Sequence, residues 1–165
     1  MLKRDTPQLA HFVYACWATP EVIIMDTPKH AVSVAAVITD DHDRALLIQR
    51  RDNRHWEPPG GVLELDETVE DGLRREVREE TGLDIEPGPL TGVYKNMARG
   101  IVALVFRAKI TGGELAPNDE ATAFQWASAE QARELASEAY AVRVLDALAV
   151  ETKTPVRAHD GMRLV

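Results

Sequence analysis

Three glutamates, Glu76, Glu79 and Glu80, lie in the stretch GVLELDETVEDGLRREVREETGL that runs from Gly61 to Leu83. On a helix turning about 100° per residue they fall within one arc of roughly 100°. Val69, Leu73 and Val77 occupy the adjoining arc, so a helix that buries this apolar stripe holds the carboxylates at the edge of the core. Arg74, Arg75 and Arg78 project elsewhere, and helical position alone does not neutralise the acids. If solvent covers that edge, like-charge neighbours cost only about 0.2–0.5 kcal/mol per pair and the pattern is an ordinary acidic helix face. If protein walls it, two carboxylates about 6 Å apart at an effective dielectric of about 20 repel by about 3 kcal/mol, and a divalent cation removes that penalty. Carboxylate oxygens are hard donors that suit Mg2+ or Mn2+; without sulfur or clustered imidazole, zinc is disfavoured.

The flanking chain supplies elements that could position such an edge. The run AVSVAAVIT, Ala31 to Thr39, is apolar and β-branched and predicts a buried strand. Ala45 to Gln49 predicts a second strand, with the Asp-rich segment between them suited to a hairpin turn. Residues 50 to 61, RRDNRHWEPPGG, predict a loop because of the Pro-Pro-Gly-Gly ending. Val69 to Thr81 predicts a helix that stops at Gly82. After Pro87, Gly88 and Pro89, two strands are expected, Leu90 to Asn96 and Ile101 to Ile110, the second ended by Gly112 and Gly113. Ala121 to Trp126 reads as another strand, and Ser128 with Gln131 predicts a capping box opening a helix to Ala136. A last helix from about Glu138 to Val150 carries Ala141, Val142, Leu145, Leu148 and Ala149 on one stripe. Asp160-Gly161 is a hairpin signal between two short tail segments.

The spacing Gly61, five residues, Glu67, seven residues, Arg75-Glu76-Val77, one residue, Glu79-Glu80, one residue, Gly82-Leu83 resembles, at every specified position, the signature of the Nudix hydrolase family. The order of strands and helices is also similar over about Lys29 to Leu148. The resemblance implies an α/β fold, an α/β/α sandwich with a mixed β-sheet, in which the signature forms a loop, helix and loop. It implies hydrolysis of a pyrophosphate bond in a nucleoside diphosphate linked to another moiety, such as a modified nucleoside triphosphate or ADP-ribose, with a divalent cation and water. Glu76, Glu79 and Glu80 match the usual metal-binding positions, and the Gly61 carbonyl is often a further ligand. Arg75 and Glu67 match a pair that usually holds the signature loop against its helix. Another acid often comes from a loop before the strand that ends in tryptophan. Glu120, six residues before Trp126, resembles it and could ligate metal or accept the proton from water. Asp119 and Glu114 are fallbacks, and Glu76 competes for the role of base.

Outside the signature, Trp56 could stack on a base or ribose ring, or simply pack in the core. Arg50, Arg51 and Arg54 form a compact basic cluster that could meet phosphate, as could Lys95 and Arg99; solvated loop charge is the plainer reading. The full chain has 165 residues, 19 basic and 27 acidic, for a net charge of −8. That balance opposes binding of nucleic acid polymers and anionic membranes, and no stretch is long and apolar enough for a spanning helix. One cysteine, Cys16, excludes an internal disulfide and fits a reducing, cytoplasmic compartment. The expected organisation is an N-terminal extension over residues 1–28, a catalytic domain over 29–150 and a C-terminal tail over 151–165. The extension reads as a short helix capped by Thr6 with Pro7 in its first turn, Asp5, Pro7, Gln8 and His11 interrupting any signal-peptide pattern. Extension and tail could supply elements to a homodimer, and a catalytically silent nucleotide sensor or partner-binding module of the same fold is the alternative function.

Overall fold

The computed structural model describes residues 28–149 and 153–165. The expected helix at Thr6 and Pro7, Cys16 and the expected final helical residue Val150 lie outside the described residues. In chain order the elements are β1 (Ala31–Ile38), β2 (Ala45–Arg50), β3 (Trp56–Glu57), β4 (Gly60–Val62), α1 (Val69–Thr81), β5 (Leu83–Asn96), β6 (Ile101–Gly113), β7 (Ala121–Ala127), α2 (Ala129–Leu135), α3 (Glu138–Leu148) and β8 (Val156–His159). A mixed five-stranded sheet has the order β4-β1-β6-β5-β8, and a smaller one the order β3-β2-β7. β1 runs parallel to β6 and β8 parallel to β5, while β4–β1 and β5–β6 are antiparallel.

β1 is apolar and buried from Val34 to Ile38 because both of its faces are covered there. Alternate residues of a strand point to opposite sides, so Val34, Ala36 and Ile38 join Leu73 and Val77 of α1 in one core. Ala35 and Val37 join Ala132 of α2 and Val142, Val144 and Ala147 of α3 in the other. The result is an α/β arrangement with helices on both sides of the mixed sheet. α1 is defined by its ends. The Thr68 side chain accepts from the Asp71 amide at its start, and Gly82 closes it in the left-handed region at φ 80°, its N–H donating to the Arg78 carbonyl. α2 opens with the expected capping box of Ser128 and Gln131.

Three expectations are corrected. β1 and β2 do not form a two-stranded hairpin in one sheet: they share only the Thr39–Ala45 bridge, then part into the two sheets. The Asp-rich turn does form, with the Asp40 carboxylate accepting from the His42 and Arg44 amides. Residues 50 to 61 are not all loop, since β3 pairs with β2 and β4 with β1. Gly60 and Gly61 enter the sheet because nothing larger fits there: a Cβ on Gly60 would lie 2.1 Å from the Val34 carbonyl oxygen. Finally, β5 begins at Leu83 rather than after the prolines. Its register shifts between Pro87 and Leu90, and β8 pairs only with Val93 to Asn96. The segment carrying Pro87 and Pro89 thus lies along an open edge, where a missing N–H breaks no ladder.

Gly82 should be hard to replace, since besides its left-handed backbone an added Cβ would sit 2.5 Å from the Glu114 carbonyl oxygen. Gly82→Ala is expected to lower stability by about 2 kcal/mol in urea titrations; an unchanged midpoint would refute this account of the helix stop.

Candidate active site

The acidic edge of α1 is walled by protein. Glu80 is 2% exposed, and its carboxylate accepts from the Gly60 amide at 2.7 Å. Glu76 is buried against Gly61, where an added Cβ would stand 2.2 Å from Glu76 Oε2. Glycine at 61 therefore leaves the space that this carboxylate fills. Glu57, from β3, is a third buried acid beside them. Burial, reinforced by Glu57 and Glu76 and opposed by the Gly60 hydrogen bond and the Arg50 charge, pushes Glu80 from the ordinary 4.5 up to about 8. Burial likewise raises Glu76, opposed by Arg75 and reinforced by Glu79 and Glu120, and it raises Glu57, opposed by Arg50 and Arg143.

Arg75 does reach the acids, contrary to the expectation from helical position. Its guanidinium forks onto Glu67 at 2.7 and 3.0 Å, while Nη1 donates to Glu76 at 2.9 Å and to Glu79 at 3.0 Å. A long side chain can bridge to position i+4 and to a preceding loop whatever the direction of its Cβ. Nη2 also donates to the Val62 carbonyl, so one residue ties the loop before α1 to the helix. Arg74 and Arg78 do turn away, to Glu86 and Asp84.

The donor set fits a hard divalent cation. Glu76, Glu79, Glu80 and the Gly61 carbonyl are all oxygen donors, and the buried acids repel one another. Among the described residues no three acidic or imidazole side chains already form a closed metal cluster. Arg75 holds Glu76 and Glu79, and the Gly60 amide holds Glu80.

Glu120 is exposed yet close enough to Glu76 to raise its pKa. Its loop is docked, not free. Asn118 donates from Nδ2 to the Glu79 carbonyl at 2.8 Å and accepts the Glu120 and Ala121 amides on Oδ1. Arg51 donates to the Asn118 and Asp119 carbonyls at 2.7 and 3.0 Å, which occupies it with the loop. Arg54 donates to the Thr122 hydroxyl at 3.1 Å. Arg50 does face the site, but its guanidinium lies on Asp52, on Glu57 at 3.3 Å and 3.8 Å from Glu80. Trp56 is half-buried and packs against the core shared with α3. Asp119 and Glu114 are exposed, and Arg99 reaches the rim of the neighbouring cavity.

That cavity, of about 150 Å³, starts at Glu57, Gly60 and Gly61 and extends past Tyr94 and Tyr140 to Arg143 and His159. Glu57, Asn118, Tyr140, Arg143 and His159 were not among the residues singled out in the sequence. Glu57 directly precedes the Pro-Pro-Gly-Gly run and could have been noticed there; the others come from distant segments with no local signature.

A protein-family profile described as NUDIX domain matches residues 29–148. A MutT-like protein of Streptomyces ambofaciens is 53% identical over 139 residues, covering 84% of this chain and 89% of that protein. A human 8-oxo-dGDP phosphatase is 36% identical over 135 residues, covering 80% of this chain but 36% of its own length. Among solved structures, an ADP-ribose pyrophosphatase from Streptococcus suis superposes with a TM-score of 0.68 at 24% identity, over 78% of this chain and 99% of that one. At that identity the last likeness concerns the fold.

Because Glu80 takes up a proton more readily when folded than at its ordinary 4.5, the metal-free protein should lose stability as pH rises from about 5 through about 8. Glu80→Gln, which keeps an acceptor for Gly60, should flatten that fall, and Mg2+ should oppose it in the wild type. Thermal melts across this range check the sign; a wild-type protein that gains stability toward pH 8 without metal would contradict it.

Proposed function

The chain belongs to the NUDIX family, and from that premise we propose the reaction its site performs: hydrolysis of a pyrophosphate bond in a nucleotide derivative, assisted by Mg2+ or Mn2+. The observation that carries this reading is the burial of Glu57, Glu76 and Glu80 together against Gly60 and Gly61. A solvated acidic face would leave those carboxylates in water. Three buried acids in mutual repulsion are instead suited to a dication and, through it, to the oxygens of a diphosphate.

Glu76, Glu79, Glu80 and the Gly61 carbonyl would hold the cation, with Glu120 an additional ligand or the proton acceptor. When bound, the cation supplies neutralisation of phosphate charge and a lower pKa for attacking water. The chain's own work is positional. Arg75 and Glu67 brace the loop before α1, Asn118 and Arg51 hold the Glu120 loop against the end of that helix, and Arg50 keeps Glu57 in place. Glu120 is the better placed of the two candidate bases to take a proton from water, because it is exposed while Glu76 is tied to Arg75.

The human relative's name, 8-oxo-dGDP phosphatase, points toward purine nucleoside diphosphates as the substrate class. A cytoplasmic enzyme is the reading that fits a single cysteine, and no helix among the described residues is long and apolar enough to cross a membrane. The test is release of phosphate, pyrophosphate and nucleoside monophosphate across a panel of nucleotides and ADP-ribose with Mg2+ or Mn2+. Glu79→Gln combined with Glu80→Gln should lower kcat by on the order of a hundredfold or more, without loss of folding, since it removes repulsion. Turnover untouched by that pair, or tight nucleotide binding with no product from any substrate, would count against the enzyme and favour a sensor.

A further inference from the structure

The cavity beside the acids ends at two side chains that each carry an unsatisfied buried nitrogen. Arg143, on α3, is 8% exposed, and its guanidinium makes no hydrogen bond among the described residues; Nε is buried and unsatisfied. It lies over the rings of Tyr140 and Tyr94, 4.6 and 5.5 Å from their centres. His159, on β8, is 1% exposed and its Nε2 is also buried and unsatisfied. The Gly161 amide donates to His159 Nδ1 at 3.1 Å, so the neutral ring carries its proton on Nε2. Burial and the nearby Arg143 charge favour that neutral form. The two unsatisfied nitrogens, Arg143 Nε and His159 Nε2, are therefore both donors. Burying a donor without an acceptor costs about 1–3 kcal/mol, and two of them in one cavity mark a place where an acceptor belongs.

Their position is built rather than accidental. Asp146 of α3 accepts from the Tyr94 hydroxyl at 2.7 Å and takes a two-pronged contact from Arg157 of β8 at 2.6 and 2.7 Å. This anchors β8, which lies outside the family-matched residues 29–148, beside the helix that carries Arg143. Gly61 on β4 and His159 on β8 stand at opposite edges of the five-stranded sheet, yet both line the one cavity. A substrate held by its phosphates at α1 would present its other end to the two donors.

The missing acceptor is a neutral one. Glu57 already faces the Arg143 charge from the same cavity wall, so a second anion there would meet a carboxylate. Val34, Ala35 and Ala103 give the wall an apolar surface suited to a ring. A keto-purine offers an O6 acceptor with two lone pairs, whereas adenine presents an amino donor at the same place, which would oppose both groups.

We propose that Arg143 and His159 are specificity-determining residues that read the O6 keto group of a guanine-type base in the uncleaved part of the substrate. This rests on the cavity being the substrate site of the pyrophosphohydrolase proposed above. The test compares kcat/KM of the full-length protein for dGTP, 8-oxo-dGTP and dITP, which carry O6, with dATP and the 2-aminopurine triphosphate, which do not. The O6 group should be favoured about 10- to 100-fold, and Arg143→Met or His159→Phe should collapse that ratio toward one. Calorimetric binding of dGMP and dAMP to the metal-free wild type supplies a readout that needs neither turnover nor a folded variant, and dGMP should bind more tightly by a similar factor. Hydrolysis of all five triphosphates at similar rates would overturn the assignment while leaving the pyrophosphohydrolase intact. Discrimination that survives in both variants would overturn it equally. Absence of any hydrolysis would instead remove the enzymatic reading, and equal dGMP and dAMP affinity would then remove this one too.

Discussion

A carboxylate with almost no access to water, Glu80 held on the Gly60 amide with Glu57 and Glu76 beside it, is the constraint around which the rest of the site is arranged. Burying like charges together is unfavourable unless their surroundings answer them. Here the answer is divided. A backbone N–H serves Glu80, Arg50 lies on Glu57, and Arg75 spans Glu76, Glu79 and Glu67. Each partner is a hydrogen-bond donor that can also orient the acid it serves. The glycines at 60 and 61 follow from the same crowding, because β4 must come close to β1 on one side and leave space for Glu76 on the other.

Such a site needs a stiff frame, and α1 supplies it by having two faces. Leu73 and Val77 lock the helix into one core, which fixes the direction of the acids a turn away. Thr68 and Gly82 fix its length. The Glu120 loop is then registered on the helix by Asn118, which bonds the Glu79 carbonyl with one end of its amide and two loop N–H groups with the other. An exposed acid is in this way tied to a buried set by a side chain that is not itself acidic. The opposite core performs a similar service for the cavity: α3 packs on β1 and β6 through Val142 and Val144, and Asp146 draws Tyr94 and Arg157 to it.

The sequence was most legible where the physics is local. Apolar positions at helical spacing and a glycine stop bound α1 at Val69 and Thr81, as the structure has it. The capping box of α2 depends on residues three apart and was legible for the same reason. Strand pairing was not. The turn after β1 has hairpin chemistry and does turn, yet the strands separate, because which sheet a strand joins depends on β4, β6 and β7, far away in the chain. Pro87 and Pro89 look like a break until the sheet places them on an open edge.

By itself, then, the chain's order of residues determined the signature helix, its acidic edge and the likeness to a hydrolase family, since all three reside in one short segment where spacing translates directly into geometry. Tertiary structure alone decided that the edge is buried, that Arg75 bridges three acids, that Arg51 holds a loop, and that Glu57, Arg143 and His159 open onto the same cavity. Burial, charge repulsion and the loss of a water partner are properties of neighbours in space. Neighbours drawn from β3, α3 and β8 leave no periodicity in a sequence for any reader to find.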